Sequence, residues 1–461
     1  MSKDGVQYAG EYELKECKIL SPNGNTTDLK VDMQIVEINL FESIFQNMVS
    51  GSLIVVDIEN IISKLPIVGQ ESLILKLVTP SLKKKEDIID FTQFPFFIHK
   101  VGLRTEISVG AQTYEMQFVS PELVLDSRKR LSKSYVGTKS NIGEMVIDVL
   151  RDSDDGIKTN KDLFVEPTIG TRKIIVPNSR PFSLIKRLAK EAISTQGSPH
   201  YVFFENKNGI HFRSIQELFK EPIRAEFNVG DEGLQDKIDL VTNPTFEKSE
   251  APASYKRALS HTLNIKKDML VNASTGMIGG KVVEHNLYRK KLETKTFDYF
   301  DDNDYDRGAR VNAERIYNID AVGASPDDIT NTNISVISNS KNKSDEDTWF
   351  ELKKTPNQRK LTILRRQSKF LELSKGISIK METHGYTALT VGDMIFVNLQ
   401  SIGGDDDDPA LNELFSGEYL VKSLRHKFSY PTRTHTMGMV VVKDGLPFPA
   451  EPKIDDEGFL T

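Results

Sequence analysis

The stretch SLRHKFSYPTRTHTMGMVVV, from Ser423 to Val442, decides the fold. It carries two histidines and two arginines among hydroxyls, which invites reading it as the rim of an active site. Its alternation says otherwise. Leu424, His426 and Phe428 share one side of a strand, and His435, Met437, Met439 and Val441 share one side of the next. Pro431 and Thr432 fall near the turn of the resulting hairpin. An earlier stretch, GLRTEISVGAQTYEMQFV from Gly102 to Val119, matches it without gaps at a constant offset of 321. Leu103-Arg104 falls on Leu424-Arg425, Ser108 on Ser429, Thr113 on Thr434 and Met116 on Met437. Ile107 falls on Phe428, but Thr105 and Tyr114 stand where His426 and His435 would be. What is repeated is a hairpin and not a pair of histidines, so His426 and His435 are expected in a packed or interface role.

Two further blocks extend the echo in the same order. VGQESLILKL (Val68 to Leu77) answers VGDMIFVNL (Val391 to Leu399) at an offset of 323, and ESIFQNMVSGSLIV (Glu42 to Val55) answers QSKFLELSKGISIK (Gln367 to Lys380) at 325. Gly51 to Gly69 spans 18 residues and Gly69 to Leu103 spans 34, against 16 and 32 in the later copy. The unit reads as a small antiparallel sheet or half-barrel with one helix, the helical patches falling around Phe41 to Gln46 and Leu361 to Leu373. In VDMQIVEINL the apolar phase shifts at Ile35-Val36, which predicts a bulge or sharp bend.

Between the copies the rhythm becomes helical. Ile142, Met145, Val146, Val149 and Leu150 form one stripe, with Ser140 or Asn141 as its cap and Asn141 with Glu144 resembling a capping box. A second helix starts at Pro181, with Phe182, Ile185, Leu188, Ala189 and Ala192 on one side. Asn208-Gly209 marks a hairpin in HYVFFENKNGIHFRSI. RAEFNV, SHTLNI and GKVVEHNLY are expected to complete the second copy's sheet. Residues 298 to 347 are polar and read as an extended insertion.

The totals exclude several classes. At 461 residues the chain is long enough for two to four domains, and 38% apolar with 27% charged residues is ordinary for a globular protein. No apolar run is long enough to cross a membrane as a helix, and the first residues lack a signal-peptide core. Cys17 stands alone, which rules out an internal disulfide or a cysteine metal cluster and fits synthesis in a reducing cytoplasm. A net charge of -6 argues against gripping nucleic acid by phosphate neutralisation.

The catalytic signatures each fail on a required residue. VGTKS has Thr138 where a phosphate loop needs glycine, and TGMIGGKV has Thr275 and Val282 at required positions. In DDNDYDRG, Arg307 and Ala313 replace the turn glycine and the bidentate glutamate of a calcium loop. GGDDDDPAL reads as a solvated loop, and Arg359, Lys360, Arg365, Arg366 and Lys369 read as the solvent face of a helix. No catalytic, cofactor-binding or metal-ligating residue is assigned, no cofactor is expected, and the chain is not expected to be an enzyme. A paired-carboxylate hydrolase acting on cell walls, with its site in residues 123 to 220, is the alternative from another class.

A duplicated β-unit has a consequence for symmetry. Three such chains around an axis place six units in a ring with pseudo-sixfold order, and sheets joined edge to edge in it leave no free lateral edges. Such an object joins a trimeric partner to a hexameric one.

At this point the chain resembles the baseplate hub proteins of contractile-tailed bacteriophages, related to the N-terminal part of type VI secretion spike proteins. The resemblance lies in SGSLIVVD followed by VGQESLILKLV, in VPNSRPFSLIKRLAKEA leading into YVFFENKNGIHFRSI, and in YTALTVGDMIFV with SGEYLVKSLRHKF and MVVVKDG. It implies an α+β, mainly β fold: two tandem tube-like antiparallel β-barrel domains with an α/β insertion domain between them. The division expected is an arm at 1–10, a first tube-like domain at 11–122, the α/β domain at 123–220, a second tube-like domain at 221–297 and 361–445, a polar insertion at 298–360 and an arm at 446–461. It implies a structural homotrimer in the virion's tail baseplate, assembled in the host cytoplasm. Its partners would be a trimeric cell-puncturing spike, a hexameric tail tube or tube-initiator protein and baseplate wedge proteins. DNA would pass through the lumen without specific binding, and no membrane insertion is implied. No OB-fold or β-helix repeat follows the second copy, so the spike is expected as a separate protein. A distal adaptor of a non-contractile tail shares the same fold logic.

Overall fold

Alternating apolar and polar side chains make about half of the described residues into strands, and pairing joins most of those strands into one sheet. A computed structural model describes residues 8–445 except 33, 59–66, 68, 81, 83, 136–140, 153, 172–173, 230–254, 266–267, 278, 288–289, 299–333, 340–358 and 401–411. The first copy supplies β1 (Glu13–Leu20), β2 (Thr26–Asp28), β3 (Gln34–Ser43), β4 (Ser50–Asp57), β5 (Ser72–Val78), β6 (Ile89–Asp90), β7 (Phe96–Ser108) and β8 (Ala111–Val119). The α/β segment holds β9 (Leu131–Tyr135), β10 (Leu163–Val165), β11 (Ile174–Ser179), β12 (Tyr201–Asn206) and β13 (Gly209–Ser214). Then come β14 (Ile223–Val229), β15 (Ala258–Ile265), β16 (Gly279–Asn286), β17 (Lys291–Asp298) and β18 (Ile334–Asn339). The chain's last strands are β19 (Ile377–His384), β20 (Met394–Leu399), β21 (Gly417–Ser429) and β22 (Thr434–Lys443).

The repeat is visible as strand order. In the first copy the order is β3-β4-β8-β7-β5-β1, and in the second it is β15-β19-β22-β21-β20-β14. All these pairings are antiparallel except β14 with β20, which is parallel where β1 with β5 is antiparallel. The strands β7 and β21 occupy matching positions at the offset of 321, and Gly69 and Gly392 both hold φ near +88°, a left-handed conformation that favours glycine. The hairpins differ at their tips. Gly102 pairs with Glu115, but Ser423 pairs with Val440 and not with Thr436, a slip of four residues in the ungapped match. Two of the four come from the turn, four residues long in the second hairpin against two in the first, and two from the register shifts of β7 between Gly102 and Ser108; an even slip keeps each side chain on its own face.

The two sheets are fused. Residues Ser423–Ser429 of β21 pair antiparallel with Glu37–Ser43 of β3, giving one 14-stranded sheet among the described residues. Its main path ends at β15 and β2, and no closed barrel is traced among the described residues. The fold is mainly β, as expected, and a bridge between Asn228 of β14 and Arg257, just before β15, brings the two ends of the second copy together. The register shift between Ile35 and Glu37 is the bulge that the phase change predicts.

Other expectations fail for local reasons. Phe41–Ser43 continues β3 as strand and a turn follows, so the first copy has no counterpart of the helix Arg359–Lys375. β16 pairs with β17 and β18 in a separate three-stranded sheet, and does not complete the second copy. That small sheet and the helix lie between β15 and β19, where the first copy has only the turn between β3 and β4. The Arg359–Lys375 helix contacts β16 and β17 as well as β19, which leaves less solvent face than its charges suggest. Lys369 is fully buried, ion-paired with Glu372 at 3.3 Å and Asp444 at 3.2 Å, and Arg366 covers the Phe370 ring at 4.4 Å. The burial of Arg359 and Lys360 lies outside what is described, as do VGTKS, DDNDYDRG and GGDDDDPAL.

The α/β segment keeps its expected helices at Ile142–Arg151 and Pro181–Ala189, with the Asn141 side chain accepting from the Gly143 N–H. The β12–β13 loop is Lys207-Asn208; Gly209 opens β13, packed so close to the Asp162 carbonyl that a Cβ there would lie 2.4 Å away. In mid-sheet, a Cβ on Gly51 would lie 2.3 Å from both the Asn39 carbonyl oxygen and the Phe118 ring. Gly51→Ala is therefore expected to destabilise the fold by about 1–3 kcal/mol through overpacking. Urea unfolding checks this, and an unchanged midpoint would contradict it.

Candidate functional site

Three parts of the chain meet at the loop Tyr386–Asp393, which corresponds to the repeated VG motif. The Thr390 hydroxyl and the Val391 N–H donate to the carboxylate of Glu42 on β3, at 2.5 and 3.2 Å. Thr79 and Thr387 bind reciprocally, each backbone N–H donating to the other hydroxyl at 3.1 and 3.2 Å. From the α/β segment, the Asn206 amide donates to the Val391 carbonyl at 3.1 Å, and the Lys207 ammonium donates to the Thr387 carbonyl. Burial pushes the Glu42 carboxyl up to about 7 and that of Asp393 up to about 6. Burial likewise pulls the Lys207 ammonium down to about 8. These groups therefore change charge across the neutral range, at a point where both sheet copies and the α/β segment are in contact.

The two hairpin histidines are packed. Both are completely buried, and His426 Nδ1 lies 3.0 Å from His435 Nε2. The His435 ring stacks on Phe428 with centroids 4.0 Å apart, and a Cβ on Gly385 would lie 1.9 Å from that ring. Burial holds His426 down to about 3 and His435 well below its ordinary value, so both are neutral at physiological pH. A neutral stacked pair without access to solvent is built for cohesion.

In the α/β segment, Lys161 bridges Glu122 at 2.7 Å and Glu205 at 2.6 Å. None of these side chains is more than 5% exposed. Glu205 also accepts from the Ser120 hydroxyl at 2.5 Å and the Val49 N–H at 2.9 Å, which ties the segment to the first copy. Two carboxylates do meet here, as a hydrolase would need, but they enclose a lysine away from any substrate. Among the described residues no group of three or more His, Cys, Asp or Glu is placed to hold a metal ion.

What remains open is a surface. One face of the large sheet carries Glu37, Asn39 and Phe41 on β3, Ser50 and Ser52 on β4, and Glu115 and Gln117 on β8. It continues through Arg425 and Lys427 on β21, Thr436 on β22, Lys380 and Glu382 on β19 and Thr262 on β15. Its charges are interspersed: Glu37 takes both Arg425 at 3.4 Å and Lys427 at 3.2 Å. Hydroxyls and amides fill the remaining positions. The face crosses both copies without interruption, because β21 pairs with β3.

No protein-family model matches the chain. It is 22% identical over 407 residues to the probable baseplate hub protein gp334 of Vibrio phage KVP40, covering 86% of this chain and 87% of that protein. This chain is similar to a probable phage baseplate hub protein over most of its length. Solved structures agree at the level of fold. The 43 kDa tail protein of prophage MuSo2 from Shewanella oneidensis matches with a TM-score of 0.53 at 8% identity, covering 94% of this chain and 99% of that one. The tail protein from Neisseria meningitidis MC58 matches with a TM-score of 0.51 at 8% identity, covering 95% and 98%. At that identity the chain shares a fold with these tail proteins, and the match says nothing of individual side chains.

The Glu42 junction gives this chain a pH signature. A carboxyl whose folded pKa lies above its unfolded value favours the fold below the unfolded value, and that contribution is lost as pH rises through about 7. Relative to Glu42→Gln, the wild-type chain should therefore lose a few degrees of melting temperature between pH 5 and pH 8.5. Parallel melting curves for the two proteins would disprove the assignment.

Proposed function

We propose that three copies of this chain form the hub ring of a contractile phage tail baseplate. The ring joins the hexameric tail tube on one side to a trimeric cell-puncturing spike on the other. The observation that carries this reading is the duplicated strand order, β3-β4-β8-β7-β5-β1 and β15-β19-β22-β21-β20-β14, fused edge to edge within one chain. Three chains then present six sheet units around an axis, which matches threefold symmetry to sixfold. The kinship with a probable baseplate hub protein supports the same place in the virion.

The polar sheet face is taken as the channel wall. On β3, β8, β19 and β21 its charged residues are three acids (Glu37, Glu115, Glu382) and three bases (Lys380, Arg425, Lys427), and Lys100 of β7, opposite Gln117, adds a fourth base, so the face carries little net charge. A wall of that kind neither traps phosphates nor excludes them strongly, so DNA passes without specific binding. The role is structural, with no catalytic residue assigned.

At micromolar concentration the purified chain should have the mass of a trimer, and images down its axis should show a six-lobed ring with an open centre. A monomer across that range, with no rings on grids, would overturn the proposal. Clearing of purified cell walls by the chain alone would favour a hydrolase.

A further inference from the structure

The helix Arg359–Lys375 and the end of β22 meet at three ionisable side chains buried in the second copy. Lys369 and Glu372 stand one turn apart on the helix, and Asp444 follows the last residue of β22. The Lys369 ammonium lies 3.2 Å from the Asp444 carboxylate and 3.3 Å from that of Glu372. All three side chains are 0% exposed. The Phe219 ring lies 5.1 Å from the ammonium, and Leu373, Ile377 and Val442 belong to the same apolar core as Phe219. One cation between two anions is costly in such surroundings, because each charge has given up its hydration.

The other buried lysine with two carboxylates makes a contrast. Lys161 sits 2.6 Å from Glu205 and 2.7 Å from Glu122, the span of a tight charge-assisted bond. The Ser120 and Thr159 hydroxyls donate to the same two carboxylates. That arrangement is a settled ion pair. The contacts of Lys369 are longer than a tight pair requires, and they hold an amine against a carboxyl group from another element. Groups fixed about 3–3.5 Å apart react as if at very high concentration.

We infer that Lys369 and Asp444 condense into an intramolecular amide, with Glu372 carrying the protons. The Lys369 ammonium gives one proton to Glu372, and the electron pair this frees attacks Asp444 Cγ. A C–N bond forms. One Cγ–O bond breaks, and its electron pair leaves on that oxygen. The two protons lost by the nitrogen both reach this oxygen through Glu372 and complete it as water. The step is a plain condensation and needs no co-reactant. A neutral amide replaces an ammonium and a carboxylate, which relieves the cost of burying them, and the apolar surroundings keep out the bulk water that would reverse the reaction. The bond closes residues 369 to 444 into a covalent loop that contains β19, β20, β21 and β22. That loop includes the strand that joins the second copy to the first, so the joint is held by a covalent clasp at its base. Closing so long a loop also restricts the unfolded chain. The clasp forms within one chain and is independent of the ring.

The test is the intact mass of the full chain, purified, kept for several days at neutral pH and then denatured. It should be one water, about 18 Da, below the mass of the sequence. Tryptic digestion should release a branched peptide joining Gln367–Lys375 to Asp444–Lys453. Lys369→Arg should keep the full mass. Because Gly445 follows Asp444, a cyclic imide at that step would lose the same water. The imide opens in mild alkali and still forms in Lys369→Arg, whereas the amide survives alkali and requires the lysine. Wild-type protein that melts cooperatively at its full mass overturns the inference, as does a loss that reverses in alkali or persists in Lys369→Arg. Glu372→Gln, checked for an intact melting transition, should condense on the order of a hundredfold more slowly. An equal rate in that variant would remove Glu372 from the step.

Discussion

Seven residues of β21 paired against seven of β3 hold the architecture together. Without the ladder from Ser423–Ser43 to Ser429–Glu37 the two copies would be separate open sheets, each with an unpaired edge. With it, the hairpin that carries His426, Phe428 and His435 is driven into the first copy's core, and the polar faces of both sheets become one surface. The neutral imidazole pair, the stacking on Phe428 and the close approach of Gly385 follow from that insertion. The histidine pair fills this place: one nitrogen of each ring meets its twin, while His426 Nε2 and His435 Nδ1 are buried without a hydrogen-bond partner among the described residues.

The ladder is reinforced by polar ties between parts. Glu42 on β3 reaches the loop Tyr386–Asp393 of the second copy, and Lys207 and Asn206 reach the same loop from the α/β segment. Glu205 ties that segment back to Val49, at the turn between β3 and β4. Such buried groups add little net stability, since desolvation offsets much of their attraction. What they add is geometry: each bond is satisfied in one arrangement of the three parts, which suits a component that must keep its shape under load.

Much of this was legible along the chain, and the failures share a cause. Alternation found the strands of the hairpins, glycines found the matching VG turns, and Asn141 and Pro181 found the helix starts, because each is written within a few residues. The bulge at Ile35–Glu37 was visible as a phase shift for the same reason. The helix Arg359–Lys375 was found, but its surroundings were not. Lys369 looks like solvent-facing charge until Glu372 and Asp444 are brought to it in the interior. GKVVEHNLY reads as another strand of the large sheet but pairs in the small one, because a strand's sequence does not name its neighbour.

The sequence by itself determined that one β-unit occurs twice, that its faces are apolar on one side and polar on the other, and that the repeated object is a hairpin and not a histidine site. These properties depend on side-chain period and turn chemistry, which are local. Tertiary structure alone decided that β21 crosses to β3, that β15 finds β19 across a long insertion, and that one hairpin is covered while its twin stays bare. Backbone hydrogen bonds at a strand edge are nearly indifferent to sequence, so which edges meet is settled by the packing of everything around them.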